Sequence, residues 1–347
     1  MLTLIYFVLI LGVIVLVHEF GHFIFSKLFG VYVHEFSIGM GPAIFQRQGK
    51  NKETTYSLRA IPIGGYCALA GEDDEMDKDV PKDRCLQNKP IWQRFIIMVA
   101  GAMNNFILAV IILLLIATFV GAPNLDPIIG SVETGGPAEQ AGLEAGDRVT
   151  RINNDKVSTT DDLAIFLQLA DMSKPVTFYV TKEDGTETTY EVTPIAEEVD
   201  GTTTYRIGVT IDSEVRHDVL SVLSYTARKT GSLFKQMIIS FQALFTGRVG
   251  FDQLSGPVGI YQIVGAQSET GLANMFYLVA LLSVNVGFLN LLPIPAMDGG
   301  RIFLLLIELI KRKPVKPETE NLVNTVGFIL LLALMLLVTI NDVVKLF

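Results

Sequence analysis

The run His18-Glu19-Phe20-Gly21-His22 holds the residue types and spacing most able to do chemistry. Histidines four residues apart fall on one face of a helix, at a distance that one metal ion can bridge. Glu19, beside them, is placed to take a proton from a water that the metal activates. A catalytic metal of this kind needs three protein ligands and one open position. The two histidines leave one ligand to be found. Cys67 and Cys85 do not supply it. They lack metal-site spacing, are too few for a disulfide framework, and read as ordinary reduced thiols.

The element that carries the motif reads as a membrane span. Half of the 347 residues are hydrophobic and 18% are charged, and the mean hydropathy is +0.44. Such values exclude a disordered, collagen-like or ordinary soluble chain. A net charge of −9 and a pI near 5.0 argue against a nucleic-acid partner, which needs a basic stripe. Residues 1–26 form an apolar run long enough to cross about 30 Å of hydrocarbon. The run is too long for a signal-peptide core and lacks both the leading positive charge and the small-residue cleavage site. Further spans are predicted over 93–120, over 274–310 with a break at Pro293 and Pro295, and over 322–344. The expected fold class is a polytopic α-helical membrane protein with four transmembrane helices.

Orientation follows from the basic residues. Lysines and arginines collect in the 27–92 segment and again between Arg301 and Lys316, which places both regions toward the cytoplasm. Both termini and the long segment from about 121 to 271 then lie outside. The acidic run from Glu72 to Asp79 counts for little in that bias. If the first span centres near Val13, the motif lies roughly 8 to 14 Å toward the cytoplasmic side, at 1.5 Å per residue. That is still hydrocarbon, where an ionisable side chain costs about 2.5 kcal/mol or more and is functional by default.

The same depth points to the third ligand. His34 lies past the first span and His217 on the opposite side, so both read as surface histidines. Asp298 follows Asn290-Leu291-Leu292-Pro293-Ile294-Pro295-Ala296-Met297 and precedes two glycines. The prolines break the helix and the glycines let backbone come close. An irregular turn results at the depth of the histidines, tolerable only where it is buried in protein or lines a cavity. Asn290 stands there as a polar side chain in an apolar run, fit either for a substrate contact or for an interhelical hydrogen bond.

Residues 124–213 read as a small α+β module inserted between spans. Its run Gly135-Gly136-Pro137-Ala138 through Ala141-Gly142-Leu143 to Gly146-Asp147-Arg148-Val149 resembles a PDZ domain. That resemblance implies that a loop offers backbone N–H groups to a peptide C-terminus, with Ile128, Ile129 and Gly130 as the matching residues. A spacer or steric filter is the plainer reading of the same module. Thr160 is a candidate cap for the helix that follows it. Residues 214–250 show apolar positions at helical spacing, interrupted by Arg228, Lys229 and Lys235, and read as an amphipathic interfacial helix rather than a fifth span. Residues 251–273 read as a connecting segment with a turn at Ser255-Gly256-Pro257.

Taken together, HExxH in the first span, the outer PDZ-like module and the Asn-x-x-Pro-x-Pro-x-x-Asp-Gly turn resemble a bacterial site-2 protease of the regulator-of-sigma-E type, an intramembrane zinc metalloprotease. The match covers nearly the whole chain. Met297 stands where the family commonly has Leu, an apolar swap that conserves volume, and the single PDZ is closer to the Gram-positive form. The resemblance implies Zn2+ held by His18, His22 and Asp298, with Glu19 as general base. It also implies a substrate-binding role for Asn290 and a shaping role for Pro293 and Pro295. It further implies a plasma-membrane enzyme that cuts single-span membrane proteins such as anti-sigma factors or signal-peptide remnants. Residues 54–69 alternate around Gly64-Gly65 and are predicted to form a cytoplasmic-side β-hairpin or re-entrant loop whose edge pairs with unwound substrate. A non-catalytic PDZ scaffold with a structural metal, or a metal transporter, are the alternatives. The retained Glu19 weighs against the first, and the single ionisable cluster against the second.

Overall fold

Residues 1–112 and 252–347 form one unit and residues 113–251 another. The computed structural model describes the chain except residues 1, 51, 72–76, 78, 200–201, 251–252 and 346–347. Most of the acidic run Glu72 to Asp79 therefore lies outside the described residues. Asp77 is described, and it accepts a hydrogen bond from His34 Nε2 at 2.8 Å.

The first unit opens with α1 (Leu2–Leu28). This helix ends where Gly30 takes a φ of +68° and its N–H reaches the Lys27 carbonyl at 3.1 Å, a left-handed stop that glycine adopts without cost. Strands β1 (Val33–Gln48) and β2 (Thr55–Leu69) follow and pair antiparallel. Both bend, so that the first half of β1 has neighbours on two sides. Ser37, for example, pairs with Tyr66 and also with Ser57. The hairpin therefore joins 33–48 to 55–69 and turns between Gln48 and Thr55. This corrects the expectation of a hairpin turning at Gly64-Gly65. Gly64 has a φ of +82° and sits at the bend inside β2. A side chain at Gly65 would place its Cβ 2.6 Å from the Ser37 carbonyl oxygen. These glycines serve a bend and a close strand contact, the usual reasons for glycine within a strand. Helix α2 (Ile91–Phe119) then starts just after Pro90.

The second unit is an α+β module followed by a long helix. It comprises β3 (Ala122–Pro123), β4 (Ile129–Val132), α3 (Pro137–Ala141), β5 (Arg148–Ile152) and β6 (Asp155–Lys156). Next come α4 (Thr160–Leu169), β7 (Val176–Thr181), β8 (Glu187–Val192), β9 (Ile195–Val199) and β10 (Thr202–Arg206). Strands β11 (Val209–Ile211) and β12 (Val215–Arg216) lead to α5 (Val219–Phe245). The main sheet has the order β6-β5-β7-β8, and β4 pairs with β11. Leu143, Ile152, Leu163 and Phe178 fill its core. The cap of α4 is Thr159, not Thr160. Its hydroxyl accepts the Asp162 N–H, and the Asp162 carboxylate returns to the Thr159 N–H, a reciprocal capping box. The cations of α5 face this module. Lys229 pairs with Asp161 at 2.6 Å, Lys235 with Asp162 at 2.7 Å and Arg228 with Asp126 at 2.8 Å.

The first unit resumes with α6 (Pro257–Glu269), α7 (Leu272–Leu291), α8 (Asp298–Lys311) and α9 (Pro317–Val344). The predicted connecting segment thus holds a 13-residue helix. Pro257 is at its first position, where proline is tolerated best. The buried Asp342 carboxylate of α9 accepts the N–H groups of Gly256 and Gly259 at 2.9 and 2.8 Å, so the Gly-Pro pair begins a helix rather than only a turn. Among the described residues four helices, α1, α2, α7 and α9, are long and apolar enough to cross a membrane. In α8 the chain resumes after the proline break. An Arg94–Glu308 pair at 3.0 Å ties α8 to α2.

Candidate active site

Helix α1 puts His18 and His22 on one face because they are four residues apart, and both are buried. What makes that face usable is the close approach of α2. A Cβ at Gly21 would strike the Ala100 carbonyl, and one at Gly101 would strike His22 Nε2 and, at 2.7 Å, His18 Cε1. Each helix carries a glycine where the other presses in. The two imidazoles meet edge to face, with ring centroids 4.9 Å apart and planes inclined at 78°.

Asp298 is the first residue of α8, directly after the broken turn. Residues 292–297 leave helical geometry at Pro293 and Pro295, and Ala296 takes a φ of +68°. Asn324 of α9 accepts the Ala296 N–H at 3.3 Å. Gly299 and Gly300 lie against the carbonyls of Leu292 and Ile294, leaving no room for a side chain. The turn is fixed from both sides, and Asp298 projects toward α1.

Three atoms converge. Asp298 Oδ2 is 3.1 Å from His18 Nε2 and 3.3 Å from His22 Nε2, and the two Nε2 atoms are 3.2 Å apart. Despite that proximity, Asp298 Oδ2 is buried without a hydrogen-bond partner. Three potential ligand atoms this close together can share one ion. Donors about 2.0 Å from a tetrahedral zinc stand about 3.3 Å apart, so the residues present fit that ion. His22 Nδ1 lies 2.8 Å from the Ile97 carbonyl, a contact that requires the proton on Nδ1 and leaves Nε2 free to coordinate. Among the described residues these three form the one cluster of histidine, cysteine or carboxylate groups suited to a metal.

A cavity of about 540 Å³ opens beside them, lined among others by Glu19, Cys67, Asn290 and Arg301. The last part of β2 forms one wall. A Cβ at Gly65 would be 3.9 Å from Glu19 Cγ, and the Cys67 backbone N–H hydrogen-bonds Glu19. The sheet behind that wall is locked by Glu35, which accepts from Tyr66 and Arg59, each at 2.7 Å. Burial and the hydrogen bond to Glu35 push the Tyr66 phenol up to about 12. It therefore stays protonated as a donor.

The structure thus brings together His18, Glu19, His22, Asn290, Asp298 and Gly65, with Pro293 and Pro295 in the turn and Gly64 at the bend of β2. Asn290 donates its Nδ2 to the Val286 carbonyl at 3.0 Å and still lines the cavity. Ile128, Ile129 and Gly130 lie in the other unit, and the first two do not offer the free N–H groups expected of them. The Ile128 N–H goes to the Asp126 carbonyl and the Ile129 N–H to the Asp147 carbonyl. Those donors complete the module and are not free for a peptide carboxylate. A cavity of about 740 Å³ in the same unit is lined by Ser131, Leu167, Gln168 and Met172 together with residues 205–210. Gly101, Asn105 and Asn324 were not singled out in the sequence. The signal for the first two was a glycine and two amides within an apolar span, Gly101-Ala102-Met103-Asn104-Asn105.

Four apolar helices and a buried pocket of two histidines and an aspartate beside a glutamate define a helical membrane metalloenzyme. Residues 6–334 match Peptidase family M50, and the chain belongs to that family. It is 32% identical to Zinc metalloprotease RasP of Bacillus licheniformis and 32% identical to Regulator of sigma-W protease RasP of Bacillus subtilis, in each case over 99% of both chains. Those alignments run over 422 and 424 positions, so these relatives carry residues with no counterpart among the 347 here. The protein is a multi-pass membrane zinc metalloprotease of the site-2 type, with Zn2+ as its cofactor.

Proposed function

We propose that His18, His22 and Asp298 hold the zinc, and that the enzyme hydrolyses peptide bonds within the transmembrane segments of single-span proteins. The observation that carries this reading is the convergence of two Nε2 atoms and one unpartnered carboxylate oxygen at 3.1–3.3 Å, with Glu19 on the wall of the same cavity. Zinc supplies Lewis acidity there, polarising a carbonyl and lowering the pKa of a water. Glu19 would take a proton from the attacking water and return it to the leaving amine. Its hydrogen bond from the Cys67 N–H keeps the carboxylate aimed into the cavity.

A substrate helix resists cutting because its peptide groups are bonded within the helix. It must unwind and present an extended strand. The wall formed by residues 65–69 supports a role for β2 as the template for that strand, with Asn290 contacting substrate across the cavity. The 113–251 unit is read as an extracytoplasmic PDZ-like module that admits or binds the ends of trimmed substrates, through the groove at 205–210 rather than through residues 128–130. The basic bias supports a cytoplasmic-side active site and outer termini in the plasma membrane. Anti-sigma factors and signal-peptide remnants are the substrate classes proposed, in keeping with the sigma-W regulator named among the relatives.

The test is cleavage of a short single-span substrate by detergent-purified protein, with Gly65→Pro alongside wild type. Proline at 65 removes a strand N–H and crowds Ser37. Cleavage inside the span by wild type, and at least about tenfold slower cutting by Gly65→Pro with zinc retained, is the expected result. Cutting only outside the span overturns the intramembrane reading, and unchanged cutting by Gly65→Pro removes β2 from it.

A further inference from the structure

Asn105 of α2 is fully buried beside His18. Its Nδ2 lies 3.4 Å from His18 Nδ1, and its Oδ1 has no hydrogen-bond partner. A buried amide oxygen left unpaired is uncommon and calls for an explanation. The other histidine supplies one. His22 directs its Nδ1 to the Ile97 carbonyl of the same helix. Ile97, Gly101 and Asn105 succeed one another at intervals of four and so share one stripe of α2. At one end of the stripe a carbonyl meets His22, in the middle a glycine admits both rings, and at the other end an amide meets His18. The α2 backbone at this position is tied to α7, where Ser283 Oγ donates to the Asn105 main-chain carbonyl at 2.9 Å.

We propose that Asn105 is the positioning residue for His18, as the Ile97 carbonyl is for His22. For His18 to bind zinc through Nε2, its proton must rest on Nδ1. A half-turn of the Asn105 amide exchanges Nδ2 for Oδ1, and the oxygen without a partner then accepts that proton. Each zinc-facing ring is thereby locked in tautomer and orientation by an acceptor on α2. The inference rests on the proposed ligand set and adds to it a residue that touches neither zinc nor substrate.

The experiment compares full-length wild type, Asn105→Leu, Asn105→Asp and His18→Ala in detergent. Zinc affinity is measured by competition with a chromophoric chelator, and the visible spectrum of the Co2+-loaded protein is recorded. Leucine keeps the bulk and removes the acceptor, and aspartate keeps the acceptor. The expected result is zinc affinity weakened about 10–100-fold in Asn105→Leu, with altered cobalt bands, and wild-type or tighter affinity in Asn105→Asp. Wild-type affinity and spectrum in Asn105→Leu overturn the proposal. So does equal weakening in both Asn105 variants, which marks a packing role. If Asn105→Leu does not fold, Asn105→Asp decides alone, since a tenfold loss there contradicts the proposal. Wild-type zinc affinity in His18→Ala instead refutes the ligand set itself.

Discussion

Both units bury carboxylates, and the partners they are given differ. In the 113–251 unit, Asp161 and Asp162 meet the ammonium groups of Lys229 and Lys235 at 2.6 and 2.7 Å. Each pair carries its own counter-charge and ties α5 to α4. In the other unit, Asp298 meets two imidazole Nε2 atoms, groups that can bind a metal only as neutral rings. In the first arrangement an ammonium group balances each charge, although Asp161 Oδ2 and Asp162 Oδ1 have no hydrogen-bond partner. The second has three donors and a shared focus, which an external cation completes. Burial of an acid therefore marks a site only when its neighbours leave the charge open.

The comparison can be broken most directly at the acid itself. Asp298→Asn keeps the shape and removes the charge. It is expected to lower zinc affinity more than about 100-fold, beyond the effect of losing an outer-shell partner, while the 113–251 unit unfolds as before. Chelator competition and calorimetry read the two quantities separately. Gly101→Ala tests the packing that shapes the focus. A methyl there strikes both imidazoles, and displacement of the rings is expected to cost roughly 100-fold in cleavage rate, measured alongside zinc content. The smaller and opposite pattern belongs to Lys229→Met. Leaving Asp161 without its ammonium destabilises the second unit by about 3 kcal/mol, with zinc binding unchanged. Adding Asp161→Leu should recover most of the loss, because the pair is structural.

The chemistry was more legible than the scaffolding. His18, Glu19 and His22 are readable because a helix converts their spacing into a face, and Asp298 because prolines at membrane depth imply a lined cavity. Residues whose meaning depends on a second element were not readable. Gly101 and Asn105 matter only because α1 presses against that stripe of α2. Gly64-Gly65 has the composition of a turn, but the chain uses it for a bend and a close strand contact. The Ser-Gly-Pro run before α6 likewise reads as a turn until Asp342, 83 residues beyond Gly259, accepts its N–H groups. In the α+β module, the N–H groups of Ile128 and Ile129 become internal bonds, the first to Asp126 close by and the second to Asp147 in the loop before β5.

In the proposed mechanism His18, His22 and Asp298 hold the metal while Glu19 moves the proton. That mechanism is tested most directly by assaying zinc content and cleavage of a single-span substrate together, in wild type and Glu19→Gln. The expected result is about one zinc per chain in both proteins and cleavage slowed about 100- to 10,000-fold in the variant. Equal cleavage by both, or loss of zinc from Glu19→Gln, would contradict it.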